Sequence, residues 1–154
     1  MNNVYKQKSK IGITGVFAKK DFHPSEKIME FTGKRLSPEE AENRNIEEYT
    51  VQVGDNIYMG PSGKEDDEVN HSCNPNTGLV WLDDKLWLIS IRWILEDEEI
   101  TFDYSTTIGP NDEWTMMCNC GELNCRKIIQ KFNLLPKEIQ DKYIDLDIAL
   151  ANNW

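Results

Sequence analysis

Long apolar runs are missing from this 154-residue chain. None approaches the roughly 20 residues that a membrane-spanning helix needs, which excludes a helical membrane protein. The basic N-terminal string MNNVYKQKSK has no apolar stretch behind it, so no secretory leader is visible. The expectation is an intracellular protein, cytoplasmic or nuclear, with no membrane partner. Positive charge is also scarce. Lys and Arg total 17 against 27 Asp and Glu, a net charge of −10, which argues against phosphate-driven nucleic-acid binding and makes a basic polypeptide the more natural partner. Internal repeats, low-complexity segments and heptads are absent as well. What remains is the length and apolar content of one compact domain with a single core.

Short apolar runs broken by turn formers fill residues 11–31, which reads as small strands with tight turns. Ser37-Pro38-Glu39-Glu40 carries the signature of a helix start, with Ser as N-cap, Pro at the first helical position and Glu at the third. Residues 49–59 alternate in part (Tyr49, Val51, Val53). Leu79-Val80-Trp81 and Leu86-Trp87-Leu88-Ile89 flank the polar Asp83-Asp84-Lys85 and predict a hairpin. In the tail, Leu134, Leu135, Ile139, Tyr143, Leu146 and Leu150 recur at helical spacing, which predicts a helix over residues 131–150. The fold class is mainly β with a few helices.

Only four cysteines occur, Cys73, Cys118, Cys120 and Cys125. Scattered buried thiols or two disulfides are the plain alternatives. Spacing argues against both, because Cys118-Asn119-Cys120-Gly121-Glu122-Leu123-Asn124-Cys125 packs three thiols around a glycine turn, and Cys118 and Cys120 are too close for an easy mutual bridge. Three local thiolates and a remote one complete a tetrahedral all-cysteine zinc site of the closed, structural type. One zinc there ties the C-terminal segment to the Cys73 loop and, by analogy with zinc-finger peptides, contributes on the order of 10 kcal/mol to folding.

The most informative strings are Asn70-His71-Ser72-Cys73-Asn74-Pro75-Asn76 and Glu98-Glu99-Ile100-Thr101-Phe102-Asp103-Tyr104. They resemble the NHSCxPN and ELTFDY signatures of the SET domain family, in that family's order. The cysteine cluster followed by Arg126 resembles the post-SET motif. Gly15-Val16-Phe17-Ala18 and Gly33-Lys34 resemble the family's opening strand and its following turn. Single motifs of this length are weak, whereas several in the right order, covering residues 10–127, are specific.

The resemblance implies transfer of a methyl group from S-adenosyl-L-methionine to a lysine ε-amine of a protein or peptide substrate, such as a histone. It implies small curved sheets with a knot-like C-terminal segment. The divisions are residues 1–108 for the SET domain, 109–130 for the post-SET segment and 131–154 for a helical extension. It assigns Tyr104 as the catalytic tyrosine, and Thr14, Gly15, Tyr49, Asn70, His71 and Tyr104 to the cofactor. Phe102 falls at the substrate channel, where phenylalanine leaves room for di- or trimethylation. Cys73, Cys118, Cys120 and Cys125 become the zinc ligands. Met117 and Asn119 border the adenine or are plain loop residues, and Arg126 is a contact or a surface charge. Two departures stand out. The family's G-x-G opening is Ile13-Thr14-Gly15 here, with the other glycine one place early at Gly12, which puts close backbone approach at Ile13 in question. Glu65-Asp66-Asp67-Glu68 precedes the NHSC string and reads as a solvated helical turn, with attraction of a basic peptide as the alternative. A catalytically silent module that binds a lysine-bearing partner is the alternative function. Monomer and homodimer are both compatible with the sequence.

Overall fold

The computed structural model describes residues 2–43 and 45–154. Its strands are β1 (Val4–Lys8), β2 (Thr14–Ala18), β3 (Lys27–Phe31), β4 (Arg35–Leu36), β5 (Val51–Gly54) and β6 (Ile57–Met59). They continue with β7 (Asn70–His71), β8 (Thr77–Leu82), β9 (Lys85–Ser90), β10 (Glu99–Phe102), β11 (Met116–Met117) and β12 (Ile128–Ile129). The α-helices are α1 (Pro38–Ala41) and α2 (Lys137–Asp145). Among the described residues the strands form four small sheets, ordered β1-β2-β10-β7, β3-β9-β8, β4-β6-β5 and β11-β12.

Local sequence explains most of these elements. Ser37 accepts a hydrogen bond from the Glu40 amide while Glu40 accepts one from the Ser37 amide, which closes the capping box that starts α1. In the β8–β9 hairpin, Leu86, Leu88 and Ser90 are buried and alternate with more exposed neighbours, the period-two pattern of a strand with one face on a core. Asp83 and Asp84 both take positive φ, 51° and 60°, so the turn has the left-handed backbone whose twist suits a two-residue hairpin. The main core gathers Val16, Ala18, Phe22, Leu79, Leu86, Leu88, Ile94, Ile100 and Phe102, each nearly or fully enclosed. Fully burying one such side chain stabilises by about 1.5–3 kcal/mol.

The tail corrects the sequence expectation. Rather than one helix over residues 131–150, it holds a 3-10 turn at Phe132–Leu134, then α2, then a second 3-10 turn at Leu150–Asn153. Pro136 immediately precedes α2 and cannot continue a helix entered from the N-terminal side. Asp147, at φ 57°, breaks it afterwards. The apolar period was real, but the residues carrying it reach a second core by turns. Phe132, Leu135, Tyr143, Ile148 and Ala151 pack together with Val80 of β8.

The hairpin turn gives a direct test. Asp83→Asn with Asp84→Gly supplies residues that accept positive φ more readily and removes two adjacent carboxylates. It should raise stability by about 0.5–1 kcal/mol in urea unfolding; an unchanged or lower midpoint would contradict the turn geometry.

Candidate functional site

The site is built on one strand pairing. β10 runs parallel to β7, with Thr101 beside Asn70 and Phe102 beside His71. The pairing continues through the Ser72 amide, which donates to the Phe102 carbonyl at 3.1 Å. Asn76, fully buried, secures it from the other end of the same string. Its Oδ1 accepts from the Thr101 amide at 2.9 Å and its Nδ2 donates to the Glu99 carbonyl at 2.8 Å. The two motifs, distant in sequence, thus share one register, and the chain after Phe102 emerges against His71.

Tyr104 follows at the head of a 3-10 turn, Tyr104–Thr107, capped by the Asp103 side chain on the Ser105 amide. Its ring centroid lies 4.8 Å from that of Phe102 and 5.3 Å from that of His71. Its hydroxyl donates to the Val69 carbonyl at 2.7 Å. Burial, with Glu48, Glu68 and Glu99 nearby, pushes the phenol above its ordinary pKa, so it stays neutral at physiological pH. The Tyr104 amide donates to His71 Nδ1 at 3.1 Å, which requires that nitrogen to be unprotonated. The neutral ring carries its proton on Nε2, facing Cys73 Sγ at 3.4 Å. Burial, opposed by Asp103 and assisted by Arg126, lowers the His71 pKa to about 4. The 3.5 Å approach of Nδ1 to Asp103 is therefore no ion pair.

On the Phe102 side opens a cavity of about 290 Å³. Phe31, Tyr49, Tyr58, Phe102, Tyr104 and Trp114 give it an aromatic lining, with Val51, Met59 and Val69 between them. Its charged wall is of one sign among the described residues: Glu42, Glu47, Glu48, Asp66, Asp67, Asp112 and Glu113, without Lys, Arg or His. Tyr58 donates to Asp112 at 2.8 Å, and burial followed by that bond raises its pKa.

On the His71 side lies the glycine bend. Asn70 Nδ2 donates to the Thr14 carbonyl and to Glu99 Oε1, both at 2.8 Å. Glu99 also accepts from Ser9 Oγ at 2.8 Å, and Ser9 Oγ accepts from the amides of Ile11 and Gly12 at 3.0 and 3.2 Å. A Cβ on Gly12 would fall 2.5 Å from Asn70 Oδ1, and one on Gly15 would fall 2.3 Å from Glu99 Oε1. A side chain at either position would therefore have to displace the Asn70 amide or the Glu99 carboxylate. Gly12, the early glycine, lies close against the Asn70 side chain, while Ile13 is 93 % exposed. Thr14, Gly15, Asn70 and His71 are thus brought together beside Tyr104. Tyr49 lies on the cavity wall, which Tyr104 also lines.

The four cysteine sulfurs converge within 4.8 Å of one another. Cys73 to Cys118 is 3.7 Å and Cys118 to Cys125 is 3.6 Å. Four thiolates at zinc–sulfur distances of about 2.3 Å have tetrahedral edges of about 3.8 Å, so the donor set fits that ion. Burial raises the Cys73 thiol to about 11 and raises Cys118 too, whereas the Lys127 amide lowers Cys125 to about 7. Met117 is 75 % exposed on the short β11–β12 ribbon beside this cluster.

Sequence reasoning missed several groups. Arg126 is a contact rather than a surface charge, and its partner was not foreseen: its Nη2 reaches both Asp103 carboxylate oxygens at 2.7 and 2.8 Å. Tyr143 Oη donates to the same carboxylate at 2.8 Å. Glu99 and Ser9 brace the glycine bend. The acidic run needs correction too. Glu65–Glu68 is indeed a helical turn, of 3-10 type, but it is not wholly solvated. Asp66 is buried in it, accepting from the Thr32 amide at 2.8 Å and Ser62 Oγ at 2.6 Å.

Comparison with known proteins matches residues 14–105 to the family model of the SET domain. Among similar proteins, human histone-lysine N-methyltransferase 2D is 33% identical over 139 residues, 82% of this chain and 2% of that protein. The Drosophila melanogaster histone-lysine N-methyltransferase trr is 32% identical over 139 residues, 82% of this chain and 6% of its own length. Arabidopsis thaliana histone-lysine N-methyltransferase ASHH3 is 25% identical over 176 residues, 92% of this chain and 47% of its own length. The chain therefore spans less than half the length of each of these relatives.

The thiol environments set an order of reactivity. In metal-stripped protein Cys125 should be alkylated before Cys73 and Cys118, with a rate that rises through about pH 7 as its thiolate forms. Peptide mapping after a short pulse of iodoacetamide reads the order, and prior labelling of Cys73 or Cys118 would overturn it.

Proposed function

The chain belongs to the SET domain family, and from that premise we propose that it is a protein-lysine methyltransferase with a histone or other basic protein as substrate. S-adenosylmethionine, when bound, supplies an activated methyl on its sulfonium. The observation that carries the reading is the position of Tyr104, between the acidic aromatic cavity and the Asn70–Thr14–His71 group.

In this reading a lysine ammonium is drawn to the cavity mouth by Glu47, Glu48, Asp112 and Glu113. The aromatic walls attract a cation and exclude water, and the buried inner end disfavours the charged form. Free lysine has a pKa near ~10.4, so that loss of charge must be driven by the site. Tyr104 has committed its proton to Val69. Its oxygen is left as an acceptor for an amine N–H, which turns the nitrogen lone pair toward the methyl donor. Asn70, His71, Thr14 and Gly15 hold the cofactor, Ser9 and Glu99 keeping the bend in place. Tyr49 serves the cavity mouth as an aromatic wall. Phe102 brings no hydroxyl to the inner end and so leaves room for more than one methyl group.

The cysteines hold one structural zinc. With residues 109–130 as the post-SET segment, the metal fixes Cys73, two residues beyond His71, to the chain that follows Trp114. Residues 131–154, the helical extension, pack instead in a second core with Val80.

Radiolabel transfer from S-adenosylmethionine to histones, with mass spectrometry of the product, tests the activity. Wild type should methylate lysine and Tyr104→Phe should lose about 10²-fold in kcat, while Phe102→Tyr should shift the product toward monomethyl-lysine. An equally active Tyr104→Phe variant would sink the assignment. Elemental analysis should find one zinc per chain. Removing it with a chelator should lower the melting temperature and weaken cofactor binding in calorimetry, and unaltered binding by the stripped protein would break the link between the two sites.

A further inference from the structure

Directly behind Tyr104 lies a buried polar cluster to which the proposed chemistry gives no task. The Asp103 side chain is at 0% exposure. Its carboxylate accepts from Arg126 Nη2 at 2.7 and 2.8 Å, from Tyr143 Oη at 2.8 Å and from the Ser105 amide at 3.1 Å. These donors come from three parts of the chain: the turn after β10, the residue after the last cysteine, and the middle of α2. Arg126 also donates its amide to Cys73 Sγ at 3.4 Å.

We propose that Asp103, Arg126 and Tyr143 are positioning residues for Tyr104, which makes the C-terminal extension a working part of the active site. The proposal rests on the methyl-transfer reading of Tyr104. The backbone of Tyr104 has two anchors. Its own amide is held by His71. The turn it opens is held by Asp103, whose side chain caps Ser105 and whose carbonyl accepts from Thr106. Asp103 can hold that turn only while its own orientation is fixed, and Arg126 and Tyr143 are what fix it. A displacement of about 1 Å in a reacting group is enough to cost about 100-fold in rate. A distant hydroxyl on α2 therefore reads out in turnover.

Tyr143→Phe is the informative change. Its ring, 1% exposed, stays in the core, and Arg126 still neutralises the carboxylate, so only the third tether is lost. Arg126→Ala would leave a buried charge unpaired and risks unfolding. The test compares wild type, Tyr143→Phe, Tyr104→Phe and the double variant. It measures kcat and KM for a histone peptide, cofactor affinity by calorimetry, and the Tyr104 amide resonance of isotope-labelled protein. Tyr143→Phe should lower kcat about tenfold, with KM and cofactor affinity within about twofold of wild type. It should also move the Tyr104 amide resonance. The double variant should be no slower than Tyr104→Phe alone, because both changes act through one group. Unchanged kcat, losses that multiply in the double variant, or an unmoved amide resonance would each overturn the proposal. If wild type transfers no methyl to any lysine, the functional reading falls, and the positioning claim is decided by the amide resonance alone.

Discussion

The parallel pairing of β7 with β10 is the constraint on which the rest of the molecule depends. It lasts two residue pairs, Asn70 with Thr101 and His71 with Phe102, and parallel ladders that short have little stability of their own. Side chains hold it: Asn76 bonds the Thr101 amide and the Glu99 carbonyl, and Thr77 Oγ1 donates to the Thr101 carbonyl at 2.7 Å. All three bonds are buried or nearly so, where an unmade partner costs about 1–3 kcal/mol. Register is thereby specified more sharply than backbone pairing alone would manage. A slip by one residue would turn Phe102 away from the cavity and Asn70 away from the glycine bend.

Charge is distributed with the same economy. Acidic side chains make up the charged wall of the cavity, whereas Arg126, largely covered near the tyrosine, is matched to Asp103. Burial works against the Arg126 charge, but Asp103 and Cys73 outweigh it and hold the guanidinium above its usual pKa. Tyr143 shares the carboxylate, and burial followed by Asp103 raises its phenol out of the physiological range. The cluster is thus an ion pair with a neutral third donor. That composition resists small pH changes and ties three distant segments to one atom group.

How much of this could be read from sequence depends on range. The capping box at Ser37–Glu40, the Asp83-Asp84 turn and the cysteine spacing are local, and each appears where local rules place it. The two motif strings were legible because a family resemblance binds them, although their pairing is long-range. The Asp103–Arg126–Tyr143 cluster was not legible. Its members are 23 and 40 residues apart from Asp103, and nothing in a charged or aromatic residue's neighbours announces a partner at that distance. The tail misled for a different reason. Its apolar spacing was helical, yet Pro136 and the positive φ of Asp147 confined the helix to α2, and a periodicity argument does not see either limit. The acidic run misled because Asp66 is covered by Thr32, 34 residues away, as well as by its near neighbour Ser62.

His71 explains why the cysteine cluster and the tyrosine belong to one unit. Its ring accepts from the Tyr104 amide on one nitrogen and faces Cys73 Sγ with the other. A neutral imidazole has one proton to give, and the Tyr104 bond forces that proton onto Nε2. Toward a neutral thiol such a contact is weak. Toward a metal-bound thiolate it becomes charge-assisted and roughly doubles in strength. A metal at the cysteines would therefore tighten the ring that holds Tyr104 from one side, while Arg126, whose amide donates to Cys73 Sγ, holds Asp103 from the other. The two anchors of the tyrosine thus meet at one sulfur, Cys73 Sγ, by separate routes, and Tyr104 itself packs against the cysteine cluster, so the two sites share one piece of core.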